Sequence, residues 1–107
     1  MDESEQARYE GRAEILKALG HPARLMMVDE MSKGERCVCE LTELVGLDMS
    51  TVSRHLSTLR DAGLVDSEKR GLKVFYRLSC PCILNFFTCV ETVREEKERR
   101  ERMATGE

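Results

Sequence analysis

Residues 46–63 limit the fold more than any other stretch of this chain. Asp48 has the side chain of a helix N-cap, and a helix is expected from about 49 to 62. Inside it Val52, Leu56 and Leu59 recur at spacings of four and three, which makes one narrow apolar stripe. Gly63 stops it. Ser50, Thr51, Ser53, Arg54, Ser57 and Arg60 are left outside the stripe. Just upstream, a short helix over about 38–45 turns Leu41, Leu44 and Val45 inward and ends at Gly46. Two amphipathic helices joined by a glycine-bounded turn are the sequence form of a helix-turn-helix, whose second helix enters the major groove of DNA.

The flanks extend this pattern. A first helix is expected over 8–19, with Ile15, Leu16 and Leu19 on one side and Gly20 at its end. Pro22 suits the first turn of a second helix, which carries Leu25, Met26, Val28 and Met31 and stops at Gly34. After the 49–62 helix, Leu64–Glu68 and Lys73–Leu78 read as strands, with Lys69-Arg70-Gly71 as the hairpin turn. Pro81 opens a last helix. There Cys82, Phe86, Cys89 and Val93 recur at four, three and four, with Ile83, Phe87 and Val90 beside them. That band is wider than one small domain needs to cover, so it is expected to form a seam between two copies, or else to pack on its own domain. Cys89, within the band, is expected to be core. The fold expected is mainly α with a small β-hairpin: one winged helix-turn-helix domain over 1–107, with five helices, a two-stranded wing and frayed ends at about 1–8 and 100–107.

Charge agrees with a nucleic-acid partner once it is read locally. The whole chain carries −3. Residues 50–77 hold six Lys or Arg against three acids, a balance of +3, whereas residues 1–49 hold six against eleven, a balance of −5. Neutralising phosphates needs only the local excess. The acidic, polar start MDESEQARYEGRAE is not a secretory leader, and no apolar run is long enough to span a membrane. The expected location is the cytoplasm. Cysteines of a cytoplasmic protein are seldom structural disulfides, so metal binding, redox chemistry and core packing stay open for all five.

Residues 47–76 following Gly46, with Ser50-Thr51-Val52-Ser53-Arg54-His55-Leu56, Ala62-Gly63-Leu64-Val65 and the wing Gly71…Tyr76-Arg77-Leu78, resemble the ArsR/SmtB family of metal-responsive repressors. Ala18-Leu19-Gly20-His21-Pro22-Ala23-Arg24-Leu25 is similar as well, and the resemblance covers roughly 12–90. It implies a homodimer, joined through its first and last helices, that reads a palindromic operator. Family members often carry Gln after the N-cap of the reading helix, where this chain has Met49. Readout is therefore expected from Ser50, Thr51, Ser53 and Arg54, with Arg70 and Lys73 holding the backbone from the wing. His55 is either a phosphate contact or a helix-packing imidazole.

Cys37-Val38-Cys39 resembles the CVC motif of the family's arsenic, antimony, lead and cadmium sensors. Two residues apart within a helix, side chains diverge. At a helix start, Cys37 can stay outside helical geometry while Cys39 sits in the first turn, and the sulfurs can then converge. The positive end of the helix favours the thiolates that bind soft ions. The other reading is a pair of small buried side chains. Cys80-Pro81-Cys82 repeats the spacing at a second expected helix start and is a candidate third ligand or separate site. The last helix has no His, so the family's His-rich zinc site cannot lie there. Thr42 occupies the position where some arsenic sensors place a third Cys.

Thiolates with few other donors fit As(III) or Sb(III) better than Cd, Pb or Zn, and no permanent cofactor is expected. The expected function is a repressor released from operator DNA by arsenite or a similar ion. The alternative is a thiol-redox or persulfide-responsive repressor of the same fold. An enzyme is not expected: the chain has no Gly-rich phosphate loop and no CxxC redox spacing.

Overall fold

The computed structural model describes residues 1–106. Its order is α1 (Glu3–Leu19), α2 (Pro22–Met31), β1 (Arg36–Cys37), α3 (Val38–Val45), α4 (Met49–Asp61), β2 (Val65–Arg70), β3 (Lys73–Leu78) and α5 (Ile83–Ala104). Residues 3–8 and 100–104, expected as frayed ends, are helical, and position 107 lies outside the described residues. Asp2 starts α1 five residues earlier than expected, because its carboxylate accepts from the Glu5 backbone N–H at 2.8 Å.

The helix-turn-helix is α3 and α4. Gly46 ends α3 with φ 74°, a left-handed conformation that admits glycine readily, and the chain turns there into the Asp48 cap of α4. Val52, Leu56 and Leu59 are fully buried, as their spacing predicts. They meet Met27, Val28 and Met31 of α2, Leu41 of α3, and Leu64, Val65 and Tyr76 beside the sheet in one core. The α2 register differs from expectation. Met27 is fully buried, while Leu25 and Met26 are 40% and 45% exposed. The expected set spread Leu25, Met26, Val28 and Met31 around too much of the helix for one stripe to bury.

The wing is larger than a hairpin. The sheet has three strands in the order β1-β3-β2, with both pairings antiparallel. The short β1 places Arg36 opposite Tyr76 and Cys37 opposite Phe75. Two residues carry too little alternation to announce a strand. Lys69 and Arg70 are strand residues rather than turn. Arg70 pairs with Lys73, and the loop is Gly71-Leu72, with Gly71 at φ 62°. Position 71 is where the tight turn requires glycine.

The terminal helices are only partly used by this core. α1 buries only Ala18 and Leu19, and α5 has no fully buried residue. Ile83, Leu84 and Phe87 pack against the core, whereas Phe86, Val90 and Val93 face outward. Cys89 is exposed, not core as expected: it falls on the outer side of α5, away from the strip that meets the domain. No helix among the described residues is long and apolar enough to cross a membrane.

Candidate nucleic-acid interface and its cysteine pair

The α4 N-terminus is held rigidly. The Asp48 carboxylate accepts from the Thr51 N–H at 2.9 Å and from the Ser50 hydroxyl at 3.3 Å. The Thr51 hydrogen bonds, followed by Ser50 and the Arg54 charge, hold the Asp48 carboxyl below the usual carboxylate range. Ser50 and Arg54 are exposed, and Thr51 and Ser53 are half-buried beside them. Arg54 donates to the Thr51 hydroxyl at 3.3 Å. Four of the expected reading residues therefore lie off the buried stripe at the first turns of α4, a surface able to reach base edges or phosphates.

His55 does not join them. It is half-buried against α2, where its Nδ1 lies 3.0 Å from the Arg24 guanidinium and its ring centroid 4.3 Å from that of His21. His21 in turn caps α2, its Nδ1 accepting from the Ala23 N–H at 3.1 Å. Of the two roles open for His55, helix packing is the one it has here. Arg24 also donates to the Ala18 carbonyl at the end of α1 at 2.6 Å. One guanidinium thus joins α1, α2 and the reading helix. No local pattern around Arg24 announces this, because the partners lie 6 and 31 residues away.

On the wing, Lys73 is exposed and, among the described residues, makes no ion pair. Arg70 is exposed but engaged. It grips Glu35 through both guanidinium nitrogens, bonds Glu68 at 2.7 Å, and lies over the Phe75 ring at 4.8 Å. Arg77 approaches the same two carboxylates, Glu35 at 3.7 Å and Glu68 at 3.5 Å. Arg70 is marked by its place on the basic wing, whereas nothing local marks Glu35, which pairs with it across 35 residues.

The first cysteine pair has one of the arrangements that its place at a helix start leaves open. Cys37 is the N-cap of α3 with extended backbone, Cys39 sits in the first turn, and the sulfurs meet as a disulfide. Cys37 is 2% exposed, while Cys39 is exposed. The Cys37 sulfur accepts from the Glu40 N–H at 3.3 Å, and the Glu40 carboxylate accepts from the Cys37 N–H at 3.0 Å. This is a capping box with Cys in the place of Ser. Cys37-x-x-Glu40 was the available signal for it. Cys80 and Cys82 are exposed free thiols at the start of α5. Among the described residues no group of three or more His, Cys, Asp or Glu side chains is gathered to hold a metal ion.

Comparison with known proteins agrees with this architecture. Residues 21–67 match the family model described as bacterial regulatory protein, arsR family. The chain is 38% identical over 74 residues to the HTH-type transcriptional regulator YgaV of Escherichia coli, covering 68% of this chain and 75% of that protein. It is 40% identical over 67 residues to the biofilm growth-associated repressor of Xylella fastidiosa, covering 63% of this chain and 59% of the relative. The matched part thus spans somewhat over half the length of that repressor. Among solved structures, the homodimeric winged helix-turn-helix DNA-binding domain Mb0332 of Mycobacterium bovis superposes with a TM-score of 0.79 at 27% identity, covering 94% of this chain and 93% of that one. Family and fold are those of DNA-binding regulators, not enzymes. The chain belongs to the ArsR family of winged helix-turn-helix transcriptional regulators.

Proposed function

We propose that this chain is a homodimeric, cytoplasmic repressor whose affinity for a palindromic operator is set by the chemical state of the Cys37–Cys39 pair. The observation that carries the reading is the convergence of the two sulfurs at the N-terminus of the helix that precedes the reading helix. Any change at that pair acts on the cap of α3, and α3 packs directly on α4.

Reversible oxidation is the chemistry this geometry favours. The dithiol loses two electrons and two protons to a two-electron oxidant of the peroxide or polysulfide class and closes the S–S bond. Exposed Cys39 meets the oxidant, and buried Cys37 resolves it. Two donors suffice, and two are present.

Arsenite or antimonite release is the second reading. The same convergence offers two soft donors, and Cys80 and Cys82 supply the nearest candidates in sequence for a third. It requires α5 thiols, of this chain or of a second copy, to approach the α3 start.

One assay tests both readings. Reduced protein is bound to labelled operator and titrated separately with arsenite and with a peroxide. Release by peroxide that needs Cys37 and Cys39 but not Cys80 or Cys82 supports the first reading. Release by arsenite that needs an α5 cysteine as well supports the second. A Cys37→Ser, Cys39→Ser protein that still releases DNA at wild-type doses of both agents refutes the pair as the switch.

A further inference from the structure

The wing carries a contact that neither the reading surface nor the sulfur pair accounts for. Arg70 and Arg77 lie on adjacent strands of the wing, paired across the β2–β3 ladder with other residues but converging on two shared carboxylates, Glu35 and Glu68. Two cations facing two anions leave this part of the wing without net charge. Glu68 is local to the wing. Glu35 is not: it reaches in from the segment between α2 and β1. Its two oxygens meet the two terminal nitrogens of Arg70 in the fork-to-fork arrangement a guanidinium also makes with a phosphate.

We propose that Glu35 is an intramolecular stand-in for a DNA phosphate, holding Arg70 and Arg77 in the DNA-free protein and lowering its affinity for the operator, and that the Cys37–Cys39 pair sets the strength of that hold. The inference rests on the reading of the wing as a backbone-binding element and of the cysteine pair as the switch.

Three observations connect Glu35 to the sulfur pair. Glu35 precedes β1, the two-residue strand that ends at Cys37. Cys37 stands opposite Phe75 in the β1–β3 register, and Phe75 is the ring beneath the Arg70 guanidinium. Arg36, between Glu35 and Cys37, donates from its guanidinium to the Glu35 carbonyl at 2.9 Å and reaches Glu30 of α2 at 3.5 Å. Arg70 is therefore held by Glu35, next to β1 in the chain, and by Phe75, which pairs with Cys37 of β1. Moving Cys37, the residue shared by β1 and the α3 cap, moves both. Hydrogen bonds to Glu68 and Glu35 push Arg70 further into its charged form, and those from Arg70 hold the Glu68 carboxyl below the usual carboxylate range.

The test compares Glu35→Gln and Glu68→Gln with the wild type, each fully reduced and fully oxidised, in operator-binding titrations across a salt series. Both substitutions are nearly isosteric, Glu68 being exposed and Glu35 half-buried, and circular dichroism confirms the fold before binding is measured. Oxidised Glu35→Gln, in the state in which the sulfur pair is closed and the contact is seen, is expected to bind about two- to five-fold more tightly than the oxidised wild type at low salt, the range that freeing an exposed ion pair allows, with a smaller gain in the reduced protein. The slope of log affinity against log salt should steepen by up to about 0.9, the signature of one further phosphate neutralised. The ratio of reduced to oxidised affinity should shrink in Glu35→Gln and stay at the wild-type value in Glu68→Gln, which loses a carboxylate not attached to β1. Unchanged affinity and salt slope in Glu35→Gln overturn the competitor role. Tighter binding with an undiminished ratio overturns the link to the sulfur pair. A wild type whose affinity is the same in both redox states instead defeats the redox reading, and the Glu35→Gln salt slope still decides the competitor role on its own.

Discussion

The Arg24 guanidinium lies 3.0 Å from Nδ1 of His55, and this contact ties the second helix to the reading helix. A guanidinium can only donate, so Nδ1 accepts and the proton of the neutral ring is on Nε2. Burial first, and then the charges of His21, Arg24 and Arg54, press the His55 pKa below its ordinary value of 6.5. The unfolded chain therefore binds a proton more readily than the folded one. Stability from this site is fully present above about 6.5, falls as the pH drops below that, and is lost once the folded-state value is passed. Melting temperature should decline with acidification through this window in the wild type and decline less in His55→Gln, which keeps a donor-acceptor side chain without a titration. Equal slopes for the two proteins between pH 7 and pH 5 would remove His55 as the source.

Arg54 is the exposed cation in the first turns of the reading helix, steadied by its bond to Thr51 at 3.3 Å. Arg54→Ala should cost ~1–3 kcal/mol on the specific operator if it reads a base edge, with little loss on random DNA. If it meets phosphate, the loss should be equal on both, and the salt slope should fall by about 1. Fluorescence anisotropy on paired specific and scrambled duplexes separates these outcomes. No loss on either would take Arg54 off the interface.

The reading helix, its caps and the wing strands were legible because each is set by local rules: a polar cap, a stripe at helical spacing, β-formers on either side of a glycine turn. The turn itself is shorter than expected, Gly71-Leu72 rather than Lys69-Arg70-Gly71, because Lys69 and Arg70 continue the ladder. Asp48, Gly46 and Gly71 each act within three or four residues of themselves. What escaped was long-range. β1 is two residues long and exists only because β3 offers it a partner. Glu35–Arg70 and Arg24–His55 join residues more than thirty positions apart, and charged side chains of these types are common on any solvated surface. Cys89 is exposed rather than core for a related reason. Its period on α5 is right for an apolar band, but a band can face a second copy as easily as its own core.

That band leads to a separate prediction about assembly. Val90 and Val93 are 41% and 68% exposed on α5, whereas Phe87 on the same helix is packed into the domain. Removing the whole helix would strip core contacts along with the seam, so point changes discriminate better. Val90→Glu and Val93→Glu should each leave the monomer folded while placing a charge in a dimer seam, where burying it unpaired costs far more than the valine burial contributed. Light scattering should show monomers, and operator affinity should drop because two half-sites are no longer read together. A dimer of wild-type stability in both variants would move the interface off α5.

Thr42 offers the sharpest test of which chemistry the sulfur pair performs. Its hydroxyl oxygen is buried and, among the described residues, finds no hydrogen-bond partner. An unsatisfied buried hydroxyl costs about 1–3 kcal/mol, so Thr42→Val, which keeps the shape and deletes the polar atom, should stabilise the protein. About 1 kcal/mol would raise the melting temperature by roughly 4–8 °C in a domain of this size. Thr42 also follows Cys39 by three residues on α3, so the two side chains are neighbours on one helix face, with Cβ atoms about 5–6 Å apart. Thr42→Cys therefore adds a third sulfur beside the first two without calling on α5. If the wild-type pair lacks a third donor, this variant should bind arsenite markedly more tightly than the wild type in a competition titration, and should release operator at lower arsenite. Its response to peroxide should change little, since the two-sulfur step is already complete. If Cys80 or Cys82 already serves as third ligand in the wild type, Thr42→Cys should gain nothing with arsenite but should rescue a Cys80→Ser, Cys82→Ser protein. Gain in the wild-type background favours oxidation as the native signal, and rescue without gain favours the soft ion.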